Sequence, residues 1–214
     1  MRPLQWLEEI IWPRALGCLC CEELCPGRLL CPDCQSALDA MKLPDDLAKE
    51  ANTYSVYRYD GIARQLVVLL KDQCMADAAD VLAQEMANAV RAMNLPPDTV
   101  LTWVTMPEIR RKKRGIDHGR TLCEAVAKQT GMPMKQLLIR SSNSHTQRGL
   151  NREARLKNIS NSICSTEAIK MPVLLIDDVL TTGATVSACT NALLAAGAPN
   201  VFALTATKVV LPHK

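Results

Sequence analysis

The segment that most constrains this chain is V-L-L-I-D-D-V-L-T-T-G-A-T, from Val173 to Thr185. Its leading apolar residues, Val173 to Ile176, read as a strand buried on both faces, as in a parallel sheet. Such a strand delivers Asp177 and Asp178 to the carboxyl end of the sheet, where open α/β folds bind ligands. The hydroxyl-rich turn Thr181, Thr182, Gly183, Ala184, Thr185 then runs into a helix whose face is set by Val186, Cys189, Leu193 and Ala196. Free amides, threonine hydroxyls and the helix dipole make that turn a cradle for a phosphate dianion, with Gly183 permitting close backbone approach. The two carboxylates would take ribose hydroxyls or magnesium-bound water. Neither G-x-x-x-x-G-K nor G-x-G-x-x-G occurs, so the usual nucleoside-triphosphate and dinucleotide cradles have no support.

The rest of the chain alternates in the same manner. Tyr54, Val56 and Tyr57 mark a strand from Thr53 to Tyr59, closed by Asp60 and Gly61, with a helix following through Leu70. From Ala78 the spacing of Val81, Leu82, Met86, Ala89, Val90 and Met93 predicts an amphipathic helix ended by Pro96 and Pro97. Val100 to Met106 reads as a strand. Leu122, Ala125 and Val126 set a helix stopped by Gly131 and Pro133, and Val201 to Thr205 reads as a last strand. Strand and helix in turn imply an α/β fold, a parallel sheet with helices on both faces. Residues Met41 to Asn52 are polar and contain Pro44, Asp45 and Asp46, which reads as a linker or loosely packed connection. A boundary near residue 50 would divide a module of residues 1–50 from an α/β domain of residues 51–214.

That first module is defined by cysteine. Six of the ten cysteines fall between Cys18 and Cys34, and Cys18-x-x-Cys21 with Cys31-x-x-Cys34 form two turns that each aim two thiolates at one ion. A closed tetrahedral S4 shell points to structural zinc; an iron–sulfur cluster uses the same ligands, and Cys20 or Cys25 would be alternative donors. Disulfides do not suit a chain without an export signal. Cys74, Cys123, Cys164 and Cys189 read as small buried hydrophobes.

Charge is divided as sharply. Between Glu108 and Lys157 thirteen Lys and Arg stand against four Asp and Glu, whereas the remainder has twelve against eighteen. The local positive field suits a polyphosphate or a nucleic-acid backbone, and equally a solvated basic loop. Aromatic residues make up only 3% of the chain, too few for a base-stacking platform. No run of eighteen apolar residues occurs, and Glu8 and Glu9 interrupt the apolar N-terminal stretch, so neither a membrane span nor a secretory signal is expected and a cytoplasmic location is. His118 and His145, the internal histidines, read as surface or structural residues without a proton-transfer role.

The Val173 to Thr185 string resembles the phosphoribosyl-pyrophosphate motif of type I phosphoribosyltransferases. Together with the four-cysteine module, the Leu69-Leu70-Lys71 helix end, the M-P-x-x-R-R-K-K-R-G stretch (Met106 to Gly115) and H-T-Q-R-G-L-N-R-E-A-R-L-K-N (His145 to Asn158), the chain resembles the ComF family. Those are phosphoribosyltransferase-like proteins associated with bacterial competence and DNA uptake. One departure stands out. Where the family continues R-G with F-N-Q, this chain has Arg114, Gly115, Ile116, Asp117, His118.

The resemblance implies that Asp177 and Asp178 hold the ribose of phosphoribosyl pyrophosphate or a nucleotide, and that Thr181 to Thr185 hold its 5′-phosphate. It implies that magnesium accompanies the pyrophosphate, and that Arg110, Arg111, Lys112, Lys113 and Arg114 belong to a loop closing over it. Lys71 would approach the pyrophosphate or simply be solvated. His145, Thr146, Gln147, Arg148, Arg152, Arg155 and Asn158 would bind the acceptor or brace the loop. The implied roles are phosphoribosyl transfer to a nucleobase or amine or, in an accessory protein without catalysis, ligand sensing coupled to single-stranded DNA or DNA-uptake proteins. A homo-oligomer is compatible with either.

Overall fold

A computed structural model describes residues 16–106, 116–140 and 163–210. In chain order these form α1 (Pro32–Asp39), α2 (Asp45–Ala48), β1 (Lys49–Glu50), β2 (Thr53–Arg58), α3 (Gly61–Asp72), α4 (Ala76–Ala92), β3 (Val100–Trp103), α5 (His118–Thr130), β4 (Leu138–Arg140), β5 (Ile163–Ser165), β6 (Val173–Leu180), α6 (Ala184–Ala195) and β7 (Val201–Lys208).

The main sheet has the order β1-β2-β7-β6-β3. Strands β2, β7, β6 and β3 run parallel, and only the two-residue edge β1 is antiparallel. The apolar run in β6 has the expected consequence of a strand covered on both sides. Leu174 and Ile176 pack with Leu101, Leu204 and Ala206 under α3, α4 and α5. Val173 and Leu175 face the opposite way, with Ala203 and the α6 residues Val186, Cys189 and Leu193. Helices thus lie on both faces of a mostly parallel sheet, as the alternation of elements predicts. A separate antiparallel pair, β4 with β5, packs beside α6.

Several boundaries shift, and each shift has a local cause. Strand β6 continues through the acidic pair to Leu180 because β7 runs alongside it, pairing Asp177 with Thr205, Val179 with Thr207 and Leu180 with Lys208. Strand β3 is shorter than expected and ends at Trp103, opposite Ile176. Helix α6 starts at Ala184, so Ala184 and Thr185 form its first turn instead of the preceding turn. The polar stretch Met41 to Asn52 is no loose connection: Leu43 N donates to Val56 O at 2.9 Å, Arg58 N donates to Met41 O at 2.8 Å, and α2 and β1 complete it. Backbone pairing holds these residues to the sheet edge where their side chains give no apolar signal. Of the four scattered cysteines, Cys123 and Cys189 are buried as expected, but Cys74 is half-buried and Cys164 is exposed.

The face of β2 and β7 toward the carboxyl end carries hydroxyls in place of alkyl groups. Ser55 Oγ and Thr205 Oγ1 lie 2.7 Å apart, Thr205 Oγ1 donates to Thr207 O at 3.2 Å, and Thr207 Oγ1 donates to Asp178 O at 2.8 Å, all buried. This chain of hydrogen bonds leads from an outer strand to the backbone of the acidic pair. Thr205→Val is expected to destabilise the fold by about 1 to 3 kcal/mol, because it strands Ser55 Oγ. Adding Ser55→Ala should recover part of that loss, which denaturant titration of the single and double variants will measure.

Candidate functional site

The acidic pair sits where β6 extends past the end of β3, and it is here that distant parts of the sequence meet. Asp178 is 4% exposed, and Lys71, from the last turn of α3, places Nζ 2.7 Å from its Oδ1. His118, the first residue of α5, places Nε2 3.1 Å from Asp178 Oδ2. That second approach is close but poorly aligned, so Oδ2 has no hydrogen-bond donor. Asp177 is half-buried and its Oδ1 accepts from the Asp178 amide at 2.9 Å.

These surroundings separate the two carboxyl groups. Burial, reinforced by the neighbouring Asp178 charge, pushes Asp177 up to about 8. Burial opposes ionisation of Asp178 as well, but His118 and Lys71 outweigh it and hold Asp178 below the usual carboxylate range. The two carboxyl groups are thus driven in opposite directions, Asp177 toward its neutral form and Asp178 toward its ionised form.

His118 is the residue that sequence reasoning missed. Its placement follows from the two residues beside it. Asp117 caps α5, accepting from Arg120 N at 3.2 Å, and its other oxygen accepts from Trp103 Nε1 at 3.3 Å at the end of β3. Gly119 lies so close to β3 that a Cβ there would meet Val104 O at 2.8 Å. Cap, indole and glycine together press the start of α5 onto the sheet and bring His118 to Asp178. Neither the cap nor the contact with Asp178 is marked by the apolar spacing that sets this helix.

Three residues beyond Asp178 begins the Thr181 to Thr185 cradle. Gly183 is the N-cap of α6 at φ 73°, a left-handed conformation that favours glycine, and no side chain caps the helix. The glycine is required by this φ, since a Cβ there would find only Leu180 Cδ1, at 3.9 Å. Thr181 and Thr182 are exposed. Together with Gly183 they border a cavity of about 550 Å3 that also includes Thr53, Ser187 and Lys208. Asp177, Asp178, Lys71 and His118 do not line that cavity. Arg110 to Arg114 and His145 to Asn158 lie outside the described residues.

At the other end of the chain, the thiol sulfurs of Cys18, Cys21, Cys31 and Cys34 lie within 4.8 Å of one another, and Cys21 and Cys31 sulfurs are 3.6 Å apart. Four sulfurs about 2.3 Å from a tetrahedral ion would be about 3.8 Å apart, so the set fits a zinc-sized ion. Amides of Cys20 and Cys34 approach the sulfurs of Cys18 and Cys31 at 3.5 Å, orienting them. Cys20 and Cys25 fall outside this set; Cys25 Sγ instead donates to Arg28 O at 3.3 Å. The cysteine-bearing segment packs on α3, with Leu38 in the same core as Leu66 and Gln65 Nε2 donating to Cys20 O at 2.8 Å.

No helix among the described residues is long and apolar enough to cross a membrane. No family model matches the chain. It is 30% identical over 147 residues to the DNA utilization protein YhgH of Salmonella typhi, an alignment that takes in 65% of this chain and 63% of that protein, and 29% identical over the same length to its counterpart in Salmonella typhimurium. The chain thus spans less than two thirds of the curated relatives it matches. Among solved structures it is similar to the glutamine phosphoribosylpyrophosphate amidotransferase of B. subtilis (TM-score 0.42, 18% identity, 61% of this chain and 26% of that one). It is also similar to the adenine phosphoribosyltransferase of Leishmania tarentolae (TM-score 0.42, 15% identity, 75% of this chain and 94% of that one). At such scores the fold rests on the strand order and burial described above.

Proposed function

We propose that this chain binds phosphoribosyl pyrophosphate with magnesium and transfers the phosphoribosyl group to a nucleobase or amine. The observation that carries the reading is the Lys71–Asp178 contact of 2.7 Å at the end of β6, followed within one loop by an uncapped, glycine-led helix start. A cation, an acidic pair and a phosphate cradle in that order suit a sugar phosphate bearing a further anionic group. The amides at the start of α6 and the hydroxyls of Thr181, Thr182 and Thr185 hold the 5′-phosphate. Asp177 and Asp178 hold the ribose hydroxyls, and Lys71 is near enough to be drawn from Asp178 to the incoming pyrophosphate.

In the reaction the bond from C1 to the pyrophosphate oxygen breaks, and its electron pair leaves with pyrophosphate. The acceptor nitrogen forms the new bond to C1 and its proton is lost to solvent. No nucleophile on the protein is required; this chain's residues orient the sugar and offset charge on the leaving group. Magnesium, when bound, would neutralise part of that charge, and the carboxylates Asp177 and Asp178 are the oxygen donors that would meet its water shell. Arg114 and its basic neighbours would add positive charge over the leaving group. We assign structural zinc to Cys18, Cys21, Cys31 and Cys34, in a module of residues 1–50 preceding a domain of residues 51–214, and a cytoplasmic setting for both.

A second reading rests on the relatives named for DNA utilization and on the basic run Arg110 to Arg114. In it the chain is a DNA-handling accessory protein whose phosphate site senses a nucleotide. Single-stranded DNA retention that falls steeply between roughly 50 and 200 mM salt would favour it.

Calorimetric titration with phosphoribosyl pyrophosphate is expected to show magnesium-dependent micromolar binding, on the order of −8 kcal/mol. The absence of binding to folded protein would overturn the first reading. Asp178→Asn should weaken binding by about 1.5 to 3 kcal/mol, because it removes a charged acceptor. Gly183→Ala should also weaken binding, through the roughly 1 to 2 kcal/mol strain of a left-handed alanine in the cradle. For the cysteine module, elemental analysis should give close to one zinc per chain, and a strong chelator should lower the melting temperature. Less than about half an equivalent would count against zinc.

A further inference from the structure

Among the described residues four large apolar side chains are exposed, and two of them, Leu16 and Leu24, belong to one short ribbon in the cysteine-bearing segment. Leu24 is the most exposed of the four, at 79%. Gly17 and Leu24 form a bridge, flanked by hydrogen bonds from Cys18 N to Glu23 O at 2.8 Å and from Cys25 N to Leu16 O at 3.1 Å. Opposite Leu24 there is only the glycine, and a Cβ on it would meet Glu22 O at 2.9 Å, so no side chain can stand across the bridge to cover the leucine. Cys18 and Cys21 tie the same ribbon to the four-sulfur cluster. The backbone thus holds an apolar side chain out in water at a fixed place, an arrangement that costs free energy until something covers it.

The residues around Leu24 limit what that cover can be. Glu22 and Glu23 precede it, and both are exposed. From Gly17 to Asp39 the chain carries four carboxylates, Glu22, Glu23, Asp33 and Asp39, against one cation, Arg28. Lys42 offsets Asp39 at 3.0 Å, which leaves the acidic character concentrated beside Leu24. A nucleic-acid backbone or an anionic lipid surface would be repelled by that charge. Past Leu24, the turn closed by Arg28 N donating to Cys25 O at 3.0 Å borders a groove of about 640 Å3 between this segment, α1 and α4. Leu29, Leu30 and Val81 give the groove apolar walls, while Gln35, Ser36 and Gln84 supply uncharged hydrogen-bonding groups. An exposed apolar anchor rimmed by charge, next to a groove of mixed lining, has the composition of a protein-docking surface.

We infer that the Gly17–Leu24 ribbon and the groove beside it dock a basic segment of a protein partner, one in which aliphatic residues alternate with lysine or arginine. Leu24 is the apolar anchor, and Glu22 and Glu23 select the cations around it. Charge complementarity decides the occupant: a leucine flanked by two glutamates favours a positively charged apolar segment and disfavours a negative one. The inference is independent of the sugar-phosphate reading and gives the cysteine-bearing segment a task separate from the site at the end of β6.

The test is fluorescence anisotropy of the full chain with three labelled probes: a peptide of alternating leucine and lysine, its counterpart with glutamate for lysine, and a single-stranded oligonucleotide. The lysine peptide should bind saturably and at least about tenfold more tightly than the glutamate peptide. Leu24→Ser, at an exposed position that leaves the melting temperature unchanged, should weaken the lysine peptide about fivefold or more, and Leu24→Met should retain its binding. Glu22→Gln combined with Glu23→Gln should weaken it as well and flatten its dependence on salt. Phosphoribosyl pyrophosphate binding should be the same in all these variants, so the outcome here is separable from that of the sugar-phosphate site. Lysine-peptide binding that is absent, or undiminished in Leu24→Ser, would overturn the inference. Oligonucleotide binding weakened by Leu24→Ser would give this face to nucleic acid and overturn it equally.

Discussion

A carboxylate at the end of a buried strand must find cations or hydrogen bonds, and Asp178 is where this chain meets that demand. The strand is sealed on both faces by alkyl side chains, with Leu174 and Ile176 on one and Val173 and Leu175 on the other. Burial of a lone charge there would be prohibitive. Lys71 from α3 and His118 from α5 come to it from two helices on the same side of the sheet. The requirement therefore fixes how both helices end or begin relative to β6. It also explains why the neighbouring Asp177, lacking such partners, is driven toward its neutral form.

The same arrangement sets two chemically different features side by side. The start of α6 is led by Gly183 and has no side-chain cap, whereas Asp178 is a buried carboxylate met by Lys71 and His118. Both lie a few residues apart on one strand-loop-helix unit, which is held in place because β6 is paired on both sides up to Ile176 and with β7 to Leu180. Behind it, the threonine hydroxyls of β7 tie the backbone of the acidic pair to β2. A hydroxyl ladder does here what alkyl packing does lower in the sheet.

Much of this was legible from local pattern. Alternating periodicities were enough for the parallel sheet and its helices, and the cysteine spacing was enough for the four-sulfur cluster, because both depend on residues close in sequence. The Met41 to Asn52 stretch was misread as loose because its order comes from main-chain pairing with β2, which leaves no mark on side-chain composition. The exposed Cys164 likewise sits on a short second sheet that no hydrophobic period announces.

By itself, the sequence determined the alternation of strands and helices from β2 to α5 and from β6 to β7, the strand that carries Asp177 and Asp178, the turn at Thr181 to Thr185 and the pairing of Cys18-x-x-Cys21 with Cys31-x-x-Cys34. Each is written in spacings of a few residues, where propensity and periodicity act. Only the tertiary structure decided that Lys71 and His118, which lie 107 and 60 residues before Asp178 along the chain, close on its two oxygens. Contacts of that kind depend on how helices dock on the sheet, here on a glycine at 119 that lets α5 touch β3, and docking is a property of the packed whole.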